Sequence, residues 1–449
     1  MNTPTHIVLL VADSLRYDAV YQGADHRLPY ATARGVTFHQ ARSAGCWTLP
    51  ATAALFTGAM PHEHGGTSQS RGIHKDIPTL AERIQVLGYT PSMVSANVVT
   101  TDIFGLHRGF DQIECAWQHM SLQSKWLQSL LVLAGKPRLR RKICSIDFVA
   151  GKLKDDFDAA KVWLQSTIDV VFDRARQILH AAQRQKRRSF CFLNIMETHF
   201  PYHIGEVFET SALTLWDKVR EIYSLFHLVN QTWLIRNKQY IAPDMLVLLR
   251  RRQRQAWEYI AARVDAFIQE VRECYNALVV FASDHGDNFG EQGWQYHFSN
   301  VNDAGTRVPL IWIPHDADAT RDVYMPVSTR DLFGALLQAA GDQDPTLFSL
   351  IDEPSRSTPI MQSYWYNNRG RTRPCYRYNQ FAFIAGTQRY VHRGSQWYTA
   401  PITRHDEPEP NFEPLALGVN PLHEGIDYPE RIAYVQRSFD AYRVFADCL

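Results

Sequence analysis

Continuous apolar runs recur along the chain, and several of them end directly in polar side chains. The run HIVLLVA at residues 6–12 has no polar alternation, which is typical of a strand buried on both faces of a parallel sheet. Four further runs predict strands at residues 88–97, 189–196, 277–283 and 308–314.

Stretches with a helical period lie between these strands and begin near residues 79, 157, 256 and 329. Strands that alternate with helices predict an α/β fold with a large, mostly parallel central sheet flanked by helices. Residues 380–400 instead alternate over short aromatic segments, which predicts a small C-terminal antiparallel sheet.

The same patterns predict how the chain is divided. We expect a main domain over residues 1–345 and a small antiparallel-sheet subdomain over residues 346–449. A helical insertion is expected at about residues 117–255, interrupted by a strand and loop at residues 189–202.

Charge excludes one class of partner. The formal net charge is +1, so we expect no nucleic-acid partner. Basic runs begin at Lys136, Arg184 and Arg250, and we interpret each as a solvated helix end. The alternative interpretation is that these basic runs form a surface that binds an anionic lipid or polymer.

Cysteine usage and the N-terminus bear on the compartment. Seven cysteines without a Cys-x-x-Cys pair argue against a disulfide framework or a zinc finger, and reduced thiols predict a cytoplasmic protein. The first residues lack a basic segment and a long apolar run, and no window approaches ~20 apolar residues. We therefore expect neither a signal peptide nor a transmembrane segment. The sequence does not indicate the oligomeric state.

Polar side chains that suit a metal ion follow the predicted strands. Asp13 follows the first strand, His199 follows residues 189–196, and Asp284 and His285 follow residues 277–283. Ligands of open α/β sheets bind beyond the carboxyl ends of strands, although an aspartate there can instead cap a helix. Carboxylate and imidazole donors suit Zn²⁺, Mn²⁺, Mg²⁺ or Ca²⁺, and the imidazole favours zinc or manganese.

Several motifs resemble the sulfatase branch of the alkaline phosphatase superfamily. HIVLLVADSLRYD is similar to that family's first strand and metal aspartate, and SDHGDNFGEQG followed by TRVPLI resembles its second metal loop. TLPATAALFTGAMPHEHG resembles its nucleophile segment, and METHFPY resembles its His-x-Pro-Tyr loop. The resemblance runs along most of the chain and implies that residues 1–345 are a sulfatase-like catalytic domain.

The chain departs from true sulfatases at the nucleophile. Counting back from Thr57 and Gly58, the family's nucleophile position falls on Thr48 rather than Cys46. Maturation to formylglycine requires Cys-x-Pro-x-Arg, which neither residue provides. The chain is therefore similar to relatives with a plain threonine, such as phosphoethanolamine and glycerophosphate transferases, phosphonate hydrolases and nucleotide phosphodiesterases. Cys46 is interpreted as a buried apolar neighbour.

The resemblance implies one divalent metal ion with zinc or manganese favoured, and with calcium or magnesium as alternatives. Its implied ligands are Asp13, Thr48, Asp284 and His285. Ser14 stands where the family often doubles the first aspartate, which favours a single ion. A second ion would need further ligands such as His62, His64, Asp287 or Glu291.

The implied chemistry is an in-line attack of Thr48 on phosphorus, with metal coordination activating the hydroxyl. His199 and His297 are both candidates for protonating the leaving oxygen. Asn97 and Arg307 are candidate substrate-binding donors. Structural roles are the alternatives, namely a turn cap for His297 or Asn97 and a salt bridge for Arg307.

We therefore expect a metal-dependent, sulfatase-like hydrolase or transferase that cleaves a phosphorus ester through a covalent Thr48 intermediate. The substrate would be a phosphodiester, phosphomonoester or phosphonate ester of a small molecule, a lipid or a saccharide. A sulfuric ester hydrolase without formylglycine is the first alternative. A catalytically silent binding protein on the same fold is the second.

Overall fold

The computed structural model describes residues 3–22, 28–67, 72–120, 162, 165–200, 202, 243–297, 300–364, 379–403, 410–422 and 429–447. Its strands, in chain order, are β1 His6–Ala12, β2 Val36–Phe38, β3 Ala41–Arg42, β4 Tyr89–Ser95, β5 Gln112–Cys115, β6 Arg188–Ile195, β7 Ala277–Ala282, β8 Asn288–Phe289, β9 Gln295–Tyr296, β10 Leu310–Ile313, β11 Arg321–Val323, β12 Val327–Ser328, β13 Ile360–Ser363, β14 Gln380–Ala385, β15 Gln388–Arg393, β16 Gln396–Pro401 and β17 Glu413–Pro414.

The main sheet has eight strands in the order β11-β2-β10-β7-β1-β6-β4-β5. The central strand β1 runs parallel to β6 and β7, and β4 runs parallel to β6 and β5. The predicted mostly parallel sheet is therefore confirmed. The strand predicted at residues 308–314 is β10, and it runs antiparallel to β2 and β7. An apolar run indicates burial but carries no information about strand direction.

Helices cover both faces of this sheet. The α-helices are Tyr17–Tyr21, Pro29–Arg34, Thr48–Thr57, Pro61–His64, Leu80–Val86, Ala116–His119, Ile168–Arg184, Pro243–Tyr275, Asp303–Thr306, Leu332–Ala340 and Pro429–Asp447. Short 3₁₀ turns occur at Val98–Thr100, Asp102–Phe104, Glu291–Gly293, Thr329–Asp331 and Pro354–Arg356. Among the helices that the structure describes, none combines the length and apolar character that a membrane-spanning helix needs.

Alternate side chains of β1 enter two different cores because successive strand residues point to opposite faces. Leu10 packs in a core with the helices Ile168–Arg184 and Pro243–Tyr275. Leu9 packs in the opposite core with the helix Thr48–Thr57. The sheet thus forms the middle of three layers, as expected for an α/β fold.

The helix Pro243–Tyr275 is longer than the sequence pattern predicts, and it contains the basic run that begins at Arg250. The prediction that this run ends a helix is wrong, whereas Arg250, Arg251 and Arg254 are exposed, as predicted. Arg252 is only 5% exposed, and burial lowers its pKa to about 10. Arg250 forms an ion pair with Asp18 at 2.8 Å. The run is interior to the helix and helps hold it against the segment after β1.

The structure tests the prediction for only one of the two other basic runs. The run that begins at Arg184 follows the end of the helix Ile168–Arg184 and is mostly exposed, as predicted. The run that begins at Lys136 lies outside the described residues, as does most of the predicted insertion. The described helix Ile168–Arg184 packs against β6 within the main core. The division of the chain into domains stays a prediction.

The C-terminal part forms a five-stranded sheet in the order β13-β14-β15-β16-β17, in which neighbouring strands pair antiparallel. The predicted small antiparallel sheet is therefore confirmed. A final helix, Pro429–Asp447, follows it and was not predicted. Phe439 of this helix contacts Phe381 of β14, and the same apolar cluster includes Ala54 of the helix Thr48–Thr57. The small sheet therefore packs against the helix that carries Thr48.

His64, the last residue of the helix Pro61–His64, should make the free energy of unfolding depend on pH. It is fully buried, its Nδ1 accepts a hydrogen bond from Gly66 N at 2.9 Å, and burial lowers its pKa to about 3. The unfolded chain takes up this proton near pH ~6.5, whereas the folded chain does not until the pH is far lower. His64 therefore costs no stability above about pH 6.5 and destabilises the fold as the pH falls.

We expect the variant His64→Asn to be less sensitive to acid, because an asparagine oxygen can accept the same hydrogen bond without taking up a proton. Between about pH 7 and about pH 5, the wild type should lose about 2 kcal/mol more free energy of unfolding than the variant. Urea denaturation at both pH values measures the difference. Equal losses in the two proteins would show that His64 does not carry this linkage.

Candidate active site and metal centre

Four neighbouring parallel strands, β7, β1, β6 and β4, end at the same edge of the main sheet. Asp284 and His285 follow β7, Asp13 follows β1, and Asn97 follows β4. All four side chains are buried, with at most 4% exposure. The strand-end positions read from the sequence therefore meet in one place, as the parallel arrangement requires.

Asp13, Asp284 and His285 form a compact group of potential ligands. Their ligand atoms all lie within 4.8 Å of one another. The His285 Nε2 atom is 3.4 Å from Asp284 Oδ2 and 3.8 Å from Asp13 Oδ1. In the described part of the chain, this is the group of histidine, cysteine and acidic side chains that has the geometry to hold a metal ion.

The electrostatics of this group fit a bound cation. Burial first, and then the neighbouring Asp13 carboxylate, raise the pKa of Asp284 well above its usual range. Asp284 Oδ1 accepts hydrogen bonds from the backbone N–H groups of Ser14 and His285, at 3.1 and 2.9 Å, whereas Asp284 Oδ2 has no hydrogen-bond partner. Two buried carboxylates with an unused oxygen are costly unless a cation compensates them, so these residues fit a divalent metal ion.

The backbone around the ligand group is tightly constrained. Ser14 has φ 60°, a left-handed conformation that is rare outside glycine, and it directs the Ser14 N–H toward Asp284. Such strain persists where the surrounding structure fixes it, and it clusters at functional sites. A Cβ atom at Gly286 would lie 2.2 Å from the Ala304 carbonyl oxygen, so the loop after His285 requires glycine.

Thr48 is the first residue of the helix Thr48–Thr57, and its hydroxyl lies at the ligand group. Thr48 Oγ1 is 3.3 Å from His285 Nε2. Asn97 Nδ2 donates to Asp13 Oδ2 at 2.6 Å and to Thr48 Oγ1 at 3.4 Å. The N-terminus of this helix also brings a partial positive charge to the Thr48 hydroxyl. Cys46 is fully buried, as predicted for an apolar neighbour.

His199 and His297 lie beside the ligand group. The His297 ring centroid is 4.6 Å from that of His285 and 5.2 Å from that of His199. His297 Nδ1 bonds the Asp287 carboxylate, whereas His199 Nδ1 bonds the Phe200 carbonyl oxygen at 2.7 Å. The structure thus brings both candidate proton donors to the site and gives them different partners.

Arg307 is held by residues outside the ligand group. Its Nε and Nη2 atoms donate to the His39 carbonyl oxygen, and its Nη1 donates to Thr403 Oγ1 at 2.9 Å. Its guanidinium carbon lies 3.9 Å from the centroid of the Tyr17 ring. These contacts indicate that Arg307 ties the main sheet to the C-terminal part. They give its predicted role in substrate binding no support.

Three residues of the site were missed by sequence reasoning. Asn194 of β6 donates its side-chain amide to Asp13 Oδ2 at 3.3 Å, and Thr198 Oγ1 donates to the Asp13 carbonyl oxygen at 2.7 Å. Gln253 donates to the carbonyl oxygens of Ser14 and Thr198, at 2.8 and 3.1 Å. Asn194 could have been noticed in the sequence, because it is a polar residue inside the apolar run at residues 189–196. No sequence pattern points to Thr198 or Gln253.

The residues considered as ligands of a second ion have other partners. Glu291 forms an ion pair with Arg16 at 2.6 Å. The remaining contacts join His62 to Gln362, His64 to Gly66, and Asp287 to His297 and Tyr202. The number of metal ions stays a prediction.

The main sheet, its strand-end ligand group and the small C-terminal sheet together define an α/β protein with a candidate metal centre at one sheet edge. Residues 5–342 match the model of the family described as Sulfatase. The chain therefore belongs to the sulfatase family.

Individual relatives are distant. The chain is 21% identical over 384 residues to arylsulfatase K of Xenopus laevis. The aligned region covers 77% of this chain and 64% of the relative's own length. A phosphonate monoester hydrolase of Agrobacterium radiobacter has a similar fold, with a TM-score of 0.60 at 15% identity, covering 98% of this chain and 96% of that one. An alkaline phosphatase superfamily protein of Vibrio parahaemolyticus has a TM-score of 0.61 at 14% identity, covering 100% and 88%.

Proposed function

We propose that this chain is a metal-dependent ester hydrolase or transferase that cleaves a phosphorus ester through Thr48. The position of the Thr48 hydroxyl carries the proposal. It begins a helix, lies 3.3 Å from His285 Nε2 and accepts a hydrogen bond from Asn97. The Thr48 hydroxyl thus contacts the histidine of the ligand group and shares the Asn97 amide with the Asp13 carboxylate.

One divalent ion, zinc or manganese by the donor set, would be held by Asp13, Asp284 and His285, with Thr48 Oγ1 as a further ligand. Such an ion would favour loss of the Thr48 hydroxyl proton to solvent and would offset negative charge on the phosphorus oxygens. Asn97 and Asn194 both donate to Asp13 Oδ2, which fixes the orientation of this carboxylate.

Side chains and backbone groups of the protein would then carry out the attack on phosphorus, the stabilisation of charge and the proton transfer. Thr48 Oγ1 forms a bond to phosphorus while the bond from phosphorus to the leaving oxygen breaks. The N–H groups at the start of the helix Thr48–Thr57 stabilise developing negative charge, and the Asn97 amide positions Thr48 Oγ1. One of His199 and His297 protonates the leaving oxygen, and water or an acceptor alcohol then takes the phosphoryl group from Thr48.

Sulfate ester hydrolysis is the second candidate, because arylsulfatase K is among the relatives of this chain. Thr48 in place of the Cys-x-Pro-x-Arg sequence argues against it, since a threonine sulfate lacks the formylglycine route of breakdown. A phosphomonoester also carries more negative charge than a sulfate ester, and a cation and a helix N-terminus stabilise that charge.

A substrate panel tests the proposal. We would compare the turnover of matched p-nitrophenyl phosphate, phosphodiester, phosphonate and sulfate by the protein loaded with zinc or manganese and by the same protein after chelation. Metal-dependent turnover should be fastest for one of the phosphorus esters. Faster turnover of the sulfate would favour the second candidate. A protein that binds the metal and cleaves none of the esters would favour a silent binding protein instead.

A further inference from the structure

One buried side-chain amide links two of the strand-end loops of the site. Gln253 lies on the helix Pro243–Tyr275 and is only 1% exposed. Its Nε2 atom donates to the carbonyl oxygen of Ser14, after β1, at 2.8 Å and to that of Thr198, after β6, at 3.1 Å. Because both acceptors are carbonyl oxygens, the amide nitrogen has to face them, and each of its two protons serves one acceptor. Gln253 therefore joins the two loops.

Ser14 has a strained backbone, and its conformation affects both carboxylates of the ligand group. Its φ of 60° is rare for a residue other than glycine. In this conformation its N–H donates to Asp284 Oδ1 at 3.1 Å, and its hydroxyl donates to Asp13 Oδ1 at 3.2 Å. A strained residue persists only where neighbouring groups hold it. The bonds to its backbone therefore decide whether Ser14 keeps this orientation.

Hydrogen bonds hold the backbone on both sides of this strained position. Asp13 N donates to the Ile195 carbonyl oxygen at 2.9 Å, and the Asp13 carbonyl oxygen accepts from Thr198 Oγ1 at 2.7 Å. Both of these partners come from β6 or the loop that follows it. Gln253 holds the next carbonyl oxygen, that of Ser14, from a different element. Gln253 thus acts on Ser14 directly, and also indirectly, because it holds the Thr198 backbone.

The helix that carries Gln253 is fixed close to this residue. Trp257, one turn later, is fully buried in the core on this face of the sheet. Arg250, one turn earlier, forms an ion pair with Asp18 at 2.8 Å. Gln253 therefore starts from an anchored backbone. A side chain with a fixed base can hold a strained loop in place, whereas a side chain on a mobile segment would move with the loop.

We infer that Gln253 is a positioning residue of the metal centre. It acts through Ser14, whose conformation orients the Asp284 and Asp13 carboxylates. The inference rests on the metal site of the proposed function and goes beyond it, because it makes the affinity for the ion depend on a helix outside the strand-end loops. Removing a group that orients metal ligands typically weakens metal binding by about 10–100-fold.

The test is the Kd for Zn²⁺, measured without any ester by competition with a chromophoric chelator. Gln253→Met keeps the length of the side chain and removes the two donated hydrogen bonds. This variant should bind Zn²⁺ about 10–100-fold more weakly than the wild type. Gln269→Met makes the same change at an exposed position of the same helix, where Gln269 bonds Glu273, and should leave the Kd unchanged. A wild-type Kd in Gln253→Met would overturn the inference.

A stability control separates positioning from a general effect on folding. Gln253→Met removes the amide donor from two buried carbonyl oxygens, so it should also lower the free energy of unfolding. Ile260→Ala truncates a fully buried core residue of the same helix and should destabilise the fold at least as much. Urea denaturation in the presence of a chelator measures both losses. Ile260→Ala should keep the wild-type Kd for Zn²⁺, and an equal weakening in both variants would overturn the inference.

A change at Ser14 tests the backbone mechanism itself. Glycine adopts a φ of 60° without steric cost, so Ser14→Gly should make the loop less dependent on Gln253. Adding Gln253→Met to Ser14→Gly should therefore weaken Zn²⁺ binding less than Gln253→Met does in the otherwise wild-type chain. Equal weakening in the two backgrounds would mean that Gln253 does not act through the conformation of Ser14, and would overturn the inference.

These measurements are independent of ester cleavage by Thr48. Expected Zn²⁺ affinities in a protein that cleaves no ester would support the inference and reject the proposed function. Metal-dependent turnover together with an unchanged Kd in Gln253→Met would do the reverse. A wild-type protein that binds neither Zn²⁺ nor Mn²⁺ would overturn both.

Discussion

Replacing Thr48 with alanine should lower metal-dependent turnover of phosphorus esters by at least about 10³-fold, because the covalent nucleophile is lost. The variant should still bind metal, since the three ligand atoms of Asp13, Asp284 and His285 remain within 4.8 Å of one another. Steady-state kinetics together with metal analysis measure both effects. The loss should appear in kcat.

Two matched variants control this result. Thr48→Ser keeps the hydroxyl and should restore part of the turnover. Thr57→Ala makes the same substitution at the far end of the same helix, where Thr57 Oγ1 bonds the Ala53 carbonyl oxygen at 2.7 Å, and should leave kcat nearly unchanged. A Thr48→Ala protein that binds metal and keeps wild-type turnover would rule out Thr48 as the nucleophile.

Replacing Asp284 with asparagine should separate stability from activity. The asparagine Oδ1 can keep the two backbone hydrogen bonds that Asp284 Oδ1 accepts, and the asparagine nitrogen replaces an oxygen without a hydrogen-bond partner. In the presence of a chelator, the variant should therefore be at least as stable as the wild type, because one of two neighbouring buried carboxylates is gone. With metal, its turnover should fall at least about 10²-fold.

Thermal unfolding with and without metal measures the stability effect. Metal at about 100 times its Kd should stabilise the wild type by about 2.7 kcal/mol and the variant by much less. Asp265→Asn is the matched control, because Asp265 is also buried but accepts hydrogen bonds from the backbone of Tyr30 and Ala31. It should leave the metal-dependent stabilisation intact. Equal stabilisation of wild type and Asp284→Asn would contradict a ligand role for Asp284.

Much of the fold and of the ligand group could be predicted from the sequence. A strand that is buried on both faces needs a continuous apolar run, so β1, β6 and β7 were located within one or two residues. The parallel direction of neighbouring strands then brings their last residues together. This is why Asp13, Asp284 and His285 could be placed in one site before their contacts were known.

Other features depend on contacts that no local pattern records. The direction of β10 follows from its pairing with β2 and β7, and an apolar run is equally compatible with a parallel or an antiparallel strand. Arg307 has the type and position of a substrate donor, yet the His39 carbonyl oxygen and Thr403 hold it. Asp287 was a candidate ligand only for a second ion, and its bonds to His297 and Tyr202 could not be seen in the sequence. Burial of Arg252 likewise follows from the packing of a long helix.

The measurement that tests the central claim most directly is the isolation of the covalent intermediate. Metal-loaded wild type would be mixed with the phosphorus ester that it cleaves fastest, quenched in acid within one turnover, and digested for mass spectrometry. The account predicts one phosphoryl group on the peptide that contains Thr48, and none in Thr48→Ala or after chelation. Turnover in a single-turnover experiment without any phosphorylated Thr48, or with the phosphoryl group on another residue, would contradict it.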